Sequence, residues 1–197
     1  VVCRPEESSK IRIEIWLPEN WNGDFVGTGN GGAAGVLAHI SMFGPLQMGF
    51  AVANTDLGTS KGADSGIGNP AIWKDFGYRA THLMTLAAKE VIHSFYGKYP
   101  MHSYFVGGST GGQQALMEAQ RYPEDYDGIL AGAPANDRTN LHIGFLWDWL
   151  AVNRLGTGMF TVEDAKKIAN LMLEQYGGKG ERREGDPFFY RPDRIEI

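Results

Sequence analysis

Clusters of glycine constrain the folds open to this chain more than any other feature of its sequence. The 197 residues include 27 glycines, about twice the share found in average proteins. Thirteen of them fall in three short windows, at 27–35, 58–68 and 107–112. Because glycine loses more conformational freedom on folding than any other residue, such clusters indicate tight turns or a close approach of the backbone to another group.

Short strands alternate with helices along the first two thirds of the chain. Alternating apolar residues predict one half-buried strand, and four short apolar runs predict further strands. The predicted strands are 10–17, 25–28, 50–55, 104–106 and 129–133, and the predicted helices are 36–48, 73–96 and 112–121. Strands that alternate with helices are typical of an α/β fold with a mostly parallel sheet and flanking helices.

The chain changes character after Pro134. The stretch 141–155 is rich in aromatic residues, and 162–176 has the periodicity of an amphipathic helix with Thr161 as its N-cap. No strand–helix repeat is predicted between there and residue 197.

Composition excludes several classes of function. With 18 Lys and Arg against 23 Asp and Glu, the chain is mildly acidic and lacks the basic patch that a nucleic-acid partner requires. No apolar run approaches the roughly 20 residues that cross a bilayer, so no membrane partner is expected. The lone Cys3 allows no internal disulfide bond. Nothing in the composition indicates an oligomeric state.

The third glycine window contains a G-x-S-x-G motif, Gly107 to Gly111, between a predicted strand and a predicted helix. This context is that of a nucleophile elbow, in which a strained turn exposes a serine hydroxyl at the carboxyl edge of the sheet. Ser109 is therefore the candidate nucleophile, and the N–H of Thr110 is a candidate oxyanion donor. No lysine follows these glycines, which excludes a P-loop.

The first window allows two interpretations. Residues 27–32 match G-x-G-x-x-G, and Asp56 ends the next strand, as in a dinucleotide-binding domain that would take NAD or NADP. Alternatively, Gly31 and Gly32 supply the second oxyanion donor from a glycine-rich loop after an earlier strand. The second interpretation explains both windows through one site, whereas the first leaves Ser109 without a role. We favour the second, and a non-catalytic binding module derived from a hydrolase is a further alternative.

Several longer motifs stand in a fixed order along the chain. They are Leu17-Pro18, Trp21-Asn22-Gly23, Gly29-Asn30-Gly31-Gly32, Thr55-Asp56-Leu57-Gly58, the stretch 78–82, the window 107–112, the stretch 119–129 and Ala131-Gly132-Ala133-Pro134. From residue 11 to residue 153 this order resembles the tannase and feruloyl esterase family. The resemblance implies an α/β-hydrolase fold and a serine carboxylesterase that acts on small aromatic esters, such as feruloyl or galloyl esters.

The resemblance also implies a division of the chain. Residues 1–140 would form the N-terminal part of the hydrolase core, and 141–197 would begin a helical lid. In that lid, Phe145 and Trp147 are candidates for the wall of the acyl pocket. The family usually places a disulfide-bonded cysteine directly before the nucleophile, and this chain has Gly108 there. It also lacks the closely spaced aspartates of the family's lid calcium site, so no metal or other cofactor is expected.

A serine hydroxyl needs a neighbouring base, and an acid must orient that base. In this fold both follow the serine, first the acid and then the histidine. The only histidine after Ser109 is His142, and a triad of Ser109, Asp137 and His142 would take acid and base from one short loop. We therefore expect the acid and the base beyond residue 197, which makes the chain the N-terminal part of a longer esterase. His82 is expected to be structural.

Overall fold

A computed structural model describes residues 1–60, 66–154 and 161–176. The chain divides into two compact units, Val1–Arg138 and Thr139–Ile197. The first unit contains every strand found among the described residues, and the second contains most of one helix and the whole of another. Part of the glycine window at 58–68 and the polar tail after Tyr176 lie outside the described residues.

Six described strands form one mixed sheet in the order β1-β2-β4-β3-β5-β6. They are β1 (Val2–Cys3), β2 (Ile11–Trp16), β3 (Phe25–Thr28), β4 (Ala51–Thr55), β5 (Ser103–Gly108) and β6 (Gly128–Gly132). β1 and β2 pair antiparallel, as do β2 and β4, while β3 pairs in parallel with β4 and β5, and β5 pairs in parallel with β6. The predicted mostly parallel sheet with flanking helices is confirmed, and only the short β1 was missed.

The four predicted helices are present, three of them with shifted boundaries, and the described residues contain two further helices. They are α1 (His39–Gln47), α2 (Pro70–Lys74), α3 (Ala80–Tyr96), α4 (Thr110–Arg121), α5 (Arg138–Arg154) and α6 (Val162–Tyr176). The Asn69 side chain caps α2 by accepting hydrogen bonds from the N–H groups of Ala71 and Ile72. Thr161 caps α6 as predicted, because its hydroxyl accepts from the Asp164 N–H over 3.1 Å.

The predicted helix 73–96 is interrupted. A π-helical turn, Asp75–Arg79, lies between α2 and α3. Such turns arise where one residue is inserted into a helix, and here the buried Asp75 accepts a 2.6 Å hydrogen bond from Arg79 Nε across the turn. Periodicity does not reveal this insertion, because apolar residues continue at helical spacing on both sides of it.

The core lies between the sheet and the helices α3 and α4. Ala80, Met84, Ala88 and Ile92 recur every four residues on α3 and are fully buried, which places them on the helix face toward the sheet. Phe25 of β3 and Phe105 of β5 meet them from the sheet. This packing fixes the carboxyl ends of β3 and β5 side by side. None of the helices described is long and apolar enough to cross a membrane.

Candidate active site

Ser109 lies at a sharp turn between β5 and α4, with an exposed side chain. Its backbone has φ 58° and ψ −116°, a combination that costs a non-glycine residue about 1–3 kcal/mol. Three hydrogen bonds hold the turn: the Ser109 N–H donates to Gly132 O, and Ser109 O accepts from the N–H groups of Gln113 and Ala135. The predicted strand–turn–helix context of the elbow is therefore confirmed.

Glycines allow two backbone segments to touch beside this turn. A Cβ atom built on Gly107 would lie 2.3 Å from Gly111 O, and one on Gly29 would lie 2.5 Å from the Gly111 Cα. Real Cβ atoms do not approach backbone so closely, so no side chain fits at either position. The first and third glycine windows thus meet backbone to backbone, as the interpretation through a single site requires.

Gly108 differs from its neighbours in the same motif. A Cβ atom there would meet only Gly132 O, at an ordinary 3.7 Å. The position before Ser109 therefore has room for a side chain, which is consistent with the cysteine that the family usually has there.

Residues 29–32, here called the 29–32 loop, are bonded to the N-terminus of α4. The Gly111 N–H donates to Asn30 O over 2.7 Å, and the Asn30 N–H donates to Gln114 Oε1 over 2.8 Å. The Thr110 hydroxyl donates to Gly32 O over 2.7 Å. The structure thereby brings together Thr110, Gly31 and Gly32, which the sequence predicted to share a site.

Three backbone N–H groups remain to receive an anion at this place. Thr110 is the first residue of α4, where the N–H has no acceptor within the helix. The N–H groups of Gly31 and Gly32 have no acceptor in the described part of the chain. The positive end of the α4 dipole adds to their attraction for negative charge. The arrangement can hold an anionic oxygen beside Ser109.

Behind the loop lies a polar network that sequence reasoning missed. The buried Gln114 accepts from Asn30 and donates through Nε2 to Thr81 Oγ1 over 3.0 Å. Asn30 Nδ2 donates to Thr55 O over 2.8 Å. An available signal was the polar Gln114 on the apolar face of α4, since buried polar side chains are normally hydrogen-bonded.

Arg138, the first residue of α5, was also missed. Its NH2 group donates to Thr110 Oγ1 over 2.7 Å and its Nε to Gln113 Oε1 over 2.6 Å. The guanidinium carbon lies 5.3 Å from the centre of the Phe76 ring. Burial lowers the pKa of Arg138, but arginine keeps its charge in proteins.

The carboxylate of Asp56 is occupied by hydrogen bonds within the fold. It is 2% exposed, and its carboxylate accepts hydrogen bonds from the N–H and Nε of Arg12 and from the Gly58 N–H. The helix after the first glycine window begins only at His39, well beyond Gly32. A dinucleotide-binding site requires a free carboxylate for the ribose and a helix directly after the glycines, so the geometry disfavours that alternative.

One cluster in the described residues has the donor atoms of a metal site. His82 Nδ1 lies 2.6 Å from Asp125 Oδ2, and ligand atoms of His82, Asp125 and Glu118 all lie within 4.8 Å of one another. Both Glu118 oxygens are buried and have no hydrogen-bond partner among the residues that the structure describes. Burial, and then the charge of Asp125, raise the pKa of Glu118 to about 9. A protonated Glu118 satisfies this cluster as well as a cation would. His82 is hydrogen-bonded inside the fold, as expected of a structural residue.

The remaining candidates lie on α5 in the second unit. Phe145 and Trp147 are exposed there, and their role in an acyl pocket stays a prediction. His142 lies on the same helix, and its part in a triad with Asp137 stays an unsupported hypothesis. The division into a core and a lid at residue 140 also stays a prediction.

Comparison with known proteins gives a consistent answer. The model of a family described as tannase and feruloyl esterase matches residues 1–179. Feruloyl esterase B of Aspergillus niger is 38% identical over 144 residues, which are 72% of this chain and 28% of that protein. The crystal structure of feruloyl esterase B from Aspergillus oryzae has a TM-score of 0.72 at 36% identity, over 75% of this chain and 30% of its own.

A crystal structure of an esterase from Aspergillus oryzae has a TM-score of 0.78 at 30% identity, covering 88% of this chain and 35% of that one. The chain spans 26% of the length of the feruloyl esterases it matches in Aspergillus flavus and Aspergillus fumigatus. The sheet order, the strained serine turn and these matches agree on an α/β-hydrolase fold. The chain belongs to the tannase and feruloyl esterase family.

Proposed function

We propose that the protein is a serine carboxylesterase that hydrolyses esters of phenolic acids, with Ser109 as its nucleophile. The observation that carries the proposal is the strained, exposed turn at Ser109 beside unpaired N–H groups of the 29–32 loop. Proteins rarely retain a strained residue of this kind unless it serves function. The relatives named feruloyl esterase B indicate the substrate class.

In the first half of the reaction, Ser109 Oγ attacks the ester carbonyl carbon and its proton passes to a histidine base. The carbonyl oxygen becomes an oxyanion, which accepts hydrogen bonds from the Thr110 N–H and from the Gly31 or Gly32 N–H. Such donors act where charge develops, and the loss of one typically costs about 100- to 1,000-fold in rate.

The intermediate then collapses and the C–O bond to the alcohol breaks. The histidine returns its proton to the departing alcohol oxygen, which leaves an acyl-enzyme on Ser109. Water repeats the same steps and releases the acid. The histidine and its orienting acid follow the serine in this fold, and we expect them beyond residue 197.

The proposed substrate is a small-molecule ester of an aromatic acid. Aromatic side chains bury a large area and stack on aromatic rings, so Phe145 and Trp147 are the residues proposed to contact the acyl ring. Feruloyl and galloyl groups differ in the vinyl spacer between ring and carbonyl, and hydrolysis rates on methyl ferulate and methyl gallate distinguish them.

A fluorophosphonate probe tests the nucleophile directly. In the full-length protein the probe should label one residue, identified as Ser109 by peptide mass spectrometry, and Ser109→Ala should abolish both labelling and hydrolysis of methyl ferulate. Ser94→Ala is the matched control, since Ser94 is an exposed helix residue bonded only to Glu90 O. Ester hydrolysis that survives Ser109→Ala would refute the proposal.

Two other results would identify an alternative. Absence of labelling and of hydrolysis in the unaltered protein would favour a non-catalytic binding module. Thermal stabilisation by NAD or NADP in the same preparation would favour a dinucleotide-binding domain, despite the buried Asp56.

A further inference from the structure

The charged side chain of Arg138 is hydrogen-bonded to the Thr110 hydroxyl, which in turn bonds the 29–32 loop to α4. Arg138 donates from NH2 to Thr110 Oγ1 and from Nε to Gln113 Oε1, and it packs on the Phe76 ring. Residues from the π-helical turn, from α4 and from the start of α5 therefore fix one guanidinium group. Two hydrogen bonds in a rigid planar fork leave it little freedom to rotate.

The guanidinium group of Arg138 determines where the hydroxyl proton of Thr110 points. A hydroxyl has one proton and two lone pairs, whereas a guanidinium group can only donate. Because Arg138 occupies a lone pair of Thr110 Oγ1, the hydroxyl proton is left for Gly32 O, 2.7 Å away. A charged donor also polarises the hydroxyl, which strengthens the second bond in the chain.

Gly31 and Gly32, at the end of the 29–32 loop, make few other hydrogen bonds. Gly32 is exposed and has φ 57°, in the left-handed region, and its neighbour Gly31 accepts one bond, from the Ala34 N–H over 3.0 Å. Two adjacent exposed glycines can adopt many backbone conformations. The bond to the Gly32 carbonyl holds the Gly32–Ala33 peptide group and so limits rotation about the Cα–C bond of Gly32, at the end of the segment that carries the two N–H groups.

We propose that Arg138 is a positioning residue of the oxyanion site, acting through the Thr110 hydroxyl on the carbonyl of Gly32. Thr110 then contributes twice: its N–H binds the oxyanion, and its hydroxyl holds the end of the 29–32 loop, whose glycine N–H groups bind the same atom. The inference rests on the proposed function, because it concerns donors that matter only if an ester reacts at Ser109.

Substitutions in the full-length protein separate this role from a structural one. Thr110→Val keeps the shape and the N–H but removes the hydroxyl, and we expect kcat for an aryl ester to fall about 10- to 100-fold with KM little changed. Thr110→Ser restores the hydroxyl and should recover most of kcat. Arg138→Gln should lower kcat about tenfold, since oriented donors lose efficiency when misplaced.

The double variant gives the sharpest readout. If Arg138 acts only through the Thr110 hydroxyl, then Thr110→Val with Arg138→Gln has the same kcat as Thr110→Val alone. Two residues with independent roles would instead multiply their losses. Multiplied losses, or a kcat of Arg138→Gln within twofold of the unaltered protein, would overturn the inference.

Arg121→Gln is the matched control. Arg121 also lies over an aromatic ring, 4.2 Å from the centre of Tyr78, but it ends α4 far from the 29–32 loop, so the kcat of the Arg121→Gln variant should not change.

If Thr110→Val does not fold, as judged by its thermal transition, Arg138→Gln and Thr110→Ser still decide the question. Activity of Ser109→Ala would refute the proposed function itself, whereas an inactive Ser109→Ala with a fully active Arg138→Gln would refute only the role of Arg138.

Discussion

Ser109 is both the candidate nucleophile and a residue whose strained backbone lowers the stability of the folded protein. At φ 58° and ψ −116° a Cβ atom is unfavourable, and glycine is the residue that adopts such angles at least cost. A serine persists there only because three backbone hydrogen bonds from α4 and from the segment around β6 hold it. Ser109 is exposed at the carboxyl end of β5.

We therefore predict that Ser109→Gly is more stable than Ser109→Ala. Both variants lose the hydroxyl, but only the alanine retains the strained Cβ, so the free energy of unfolding should differ by about 1 kcal/mol in favour of glycine. Urea unfolding followed by tryptophan fluorescence measures the difference. The same pair at Ser94, inside α3, should show the opposite order by about 1 kcal/mol. Equal stability of the two Ser109 variants would show that the turn is relaxed.

Alanine substitutions at two neighbouring glycines of one motif should have different effects on the stability of the protein. Gly107→Ala places a Cβ atom 2.3 Å from Gly111 O, whereas Gly108→Ala meets only Gly132 O at 3.7 Å. The first change must displace backbone where the end of β5 passes the start of α4, and we expect it to cost several kcal/mol of stability, about 3 or more. The second should stay within about 1 kcal/mol of the unaltered protein. Thermal unfolding of the two variants side by side measures this, and similar losses would contradict the close approach of Gly107 to Gly111.

At the scale of elements, local sequence patterns predicted the strands and helices around the candidate site. They did not predict the tertiary contacts between those elements. The strand at 25–28 and the helix at 162–176 were predicted to the residue, because alternation, periodicity and capping depend on neighbours in sequence. The glycine windows predicted that Ser109, Thr110, Gly31 and Gly32 lie together, as they do in the structure, and their roles in a reaction stay predictions. The partners of these residues, Gln114 and Arg138, could not be assigned, since their bonds join positions 84 and 28 residues apart.

Helix α4 carries the candidate site at one end and a buried carboxyl at the other. Glu118 follows Ser109 by nine residues, about 14 Å along the helix axis. Neither of its oxygens has a hydrogen-bond partner in the described part of the chain, and burial beside Asp125 raises its pKa from 4.5 to about 9. The folded protein therefore keeps a proton on Glu118 that the unfolded chain releases above about pH 4.5.

This proton makes stability depend on pH. Between pH 4.5 and about 9 the folded state binds more protons than the unfolded state, so the free energy of unfolding falls as pH rises, by at most about 1.4 kcal/mol per unit from this group. Glu118→Gln resembles the neutral acid and removes this slope, so its stability relative to the unaltered protein should grow steadily from pH 5 to pH 9. Glu124→Gln, at an exposed position, is the control and should leave the slope unchanged.

Urea unfolding at five pH values across that range measures the effect. Parallel curves for the unaltered protein and Glu118→Gln would contradict a protonated Glu118. A loss of stability on adding a chelator, abolished by Glu118→Gln, would instead show that His82, Glu118 and Asp125 hold a divalent cation.

At the scale of the whole molecule, the first unit holds the candidate nucleophile and the candidate oxyanion donors, and the four histidines of its described residues all precede Ser109. His39, His82, His93 and His102 precede Ser109, whereas the order of this fold puts the base after it. His82 is bonded to Asp125, and His102 contacts Asp24 at the opposite ends of the strands. If Ser109 is the nucleophile, as proposed, its base comes from later in the protein, and within these 197 residues only His142 follows it.

His142 lies near the start of α5, five residues after Asp137 and four after Arg138. An acid and a base so close in sequence cannot easily approach a serine in the order acid, histidine, serine, because the acid must lie behind the imidazole ring. We predict that His142→Ala in the full-length protein lowers kcat for methyl ferulate less than about tenfold, whereas removal of a triad histidine costs about a millionfold. Steady-state kinetics separate these outcomes by several orders of magnitude. A loss as large as that of Ser109→Ala would make His142 the base and place the whole triad within this chain.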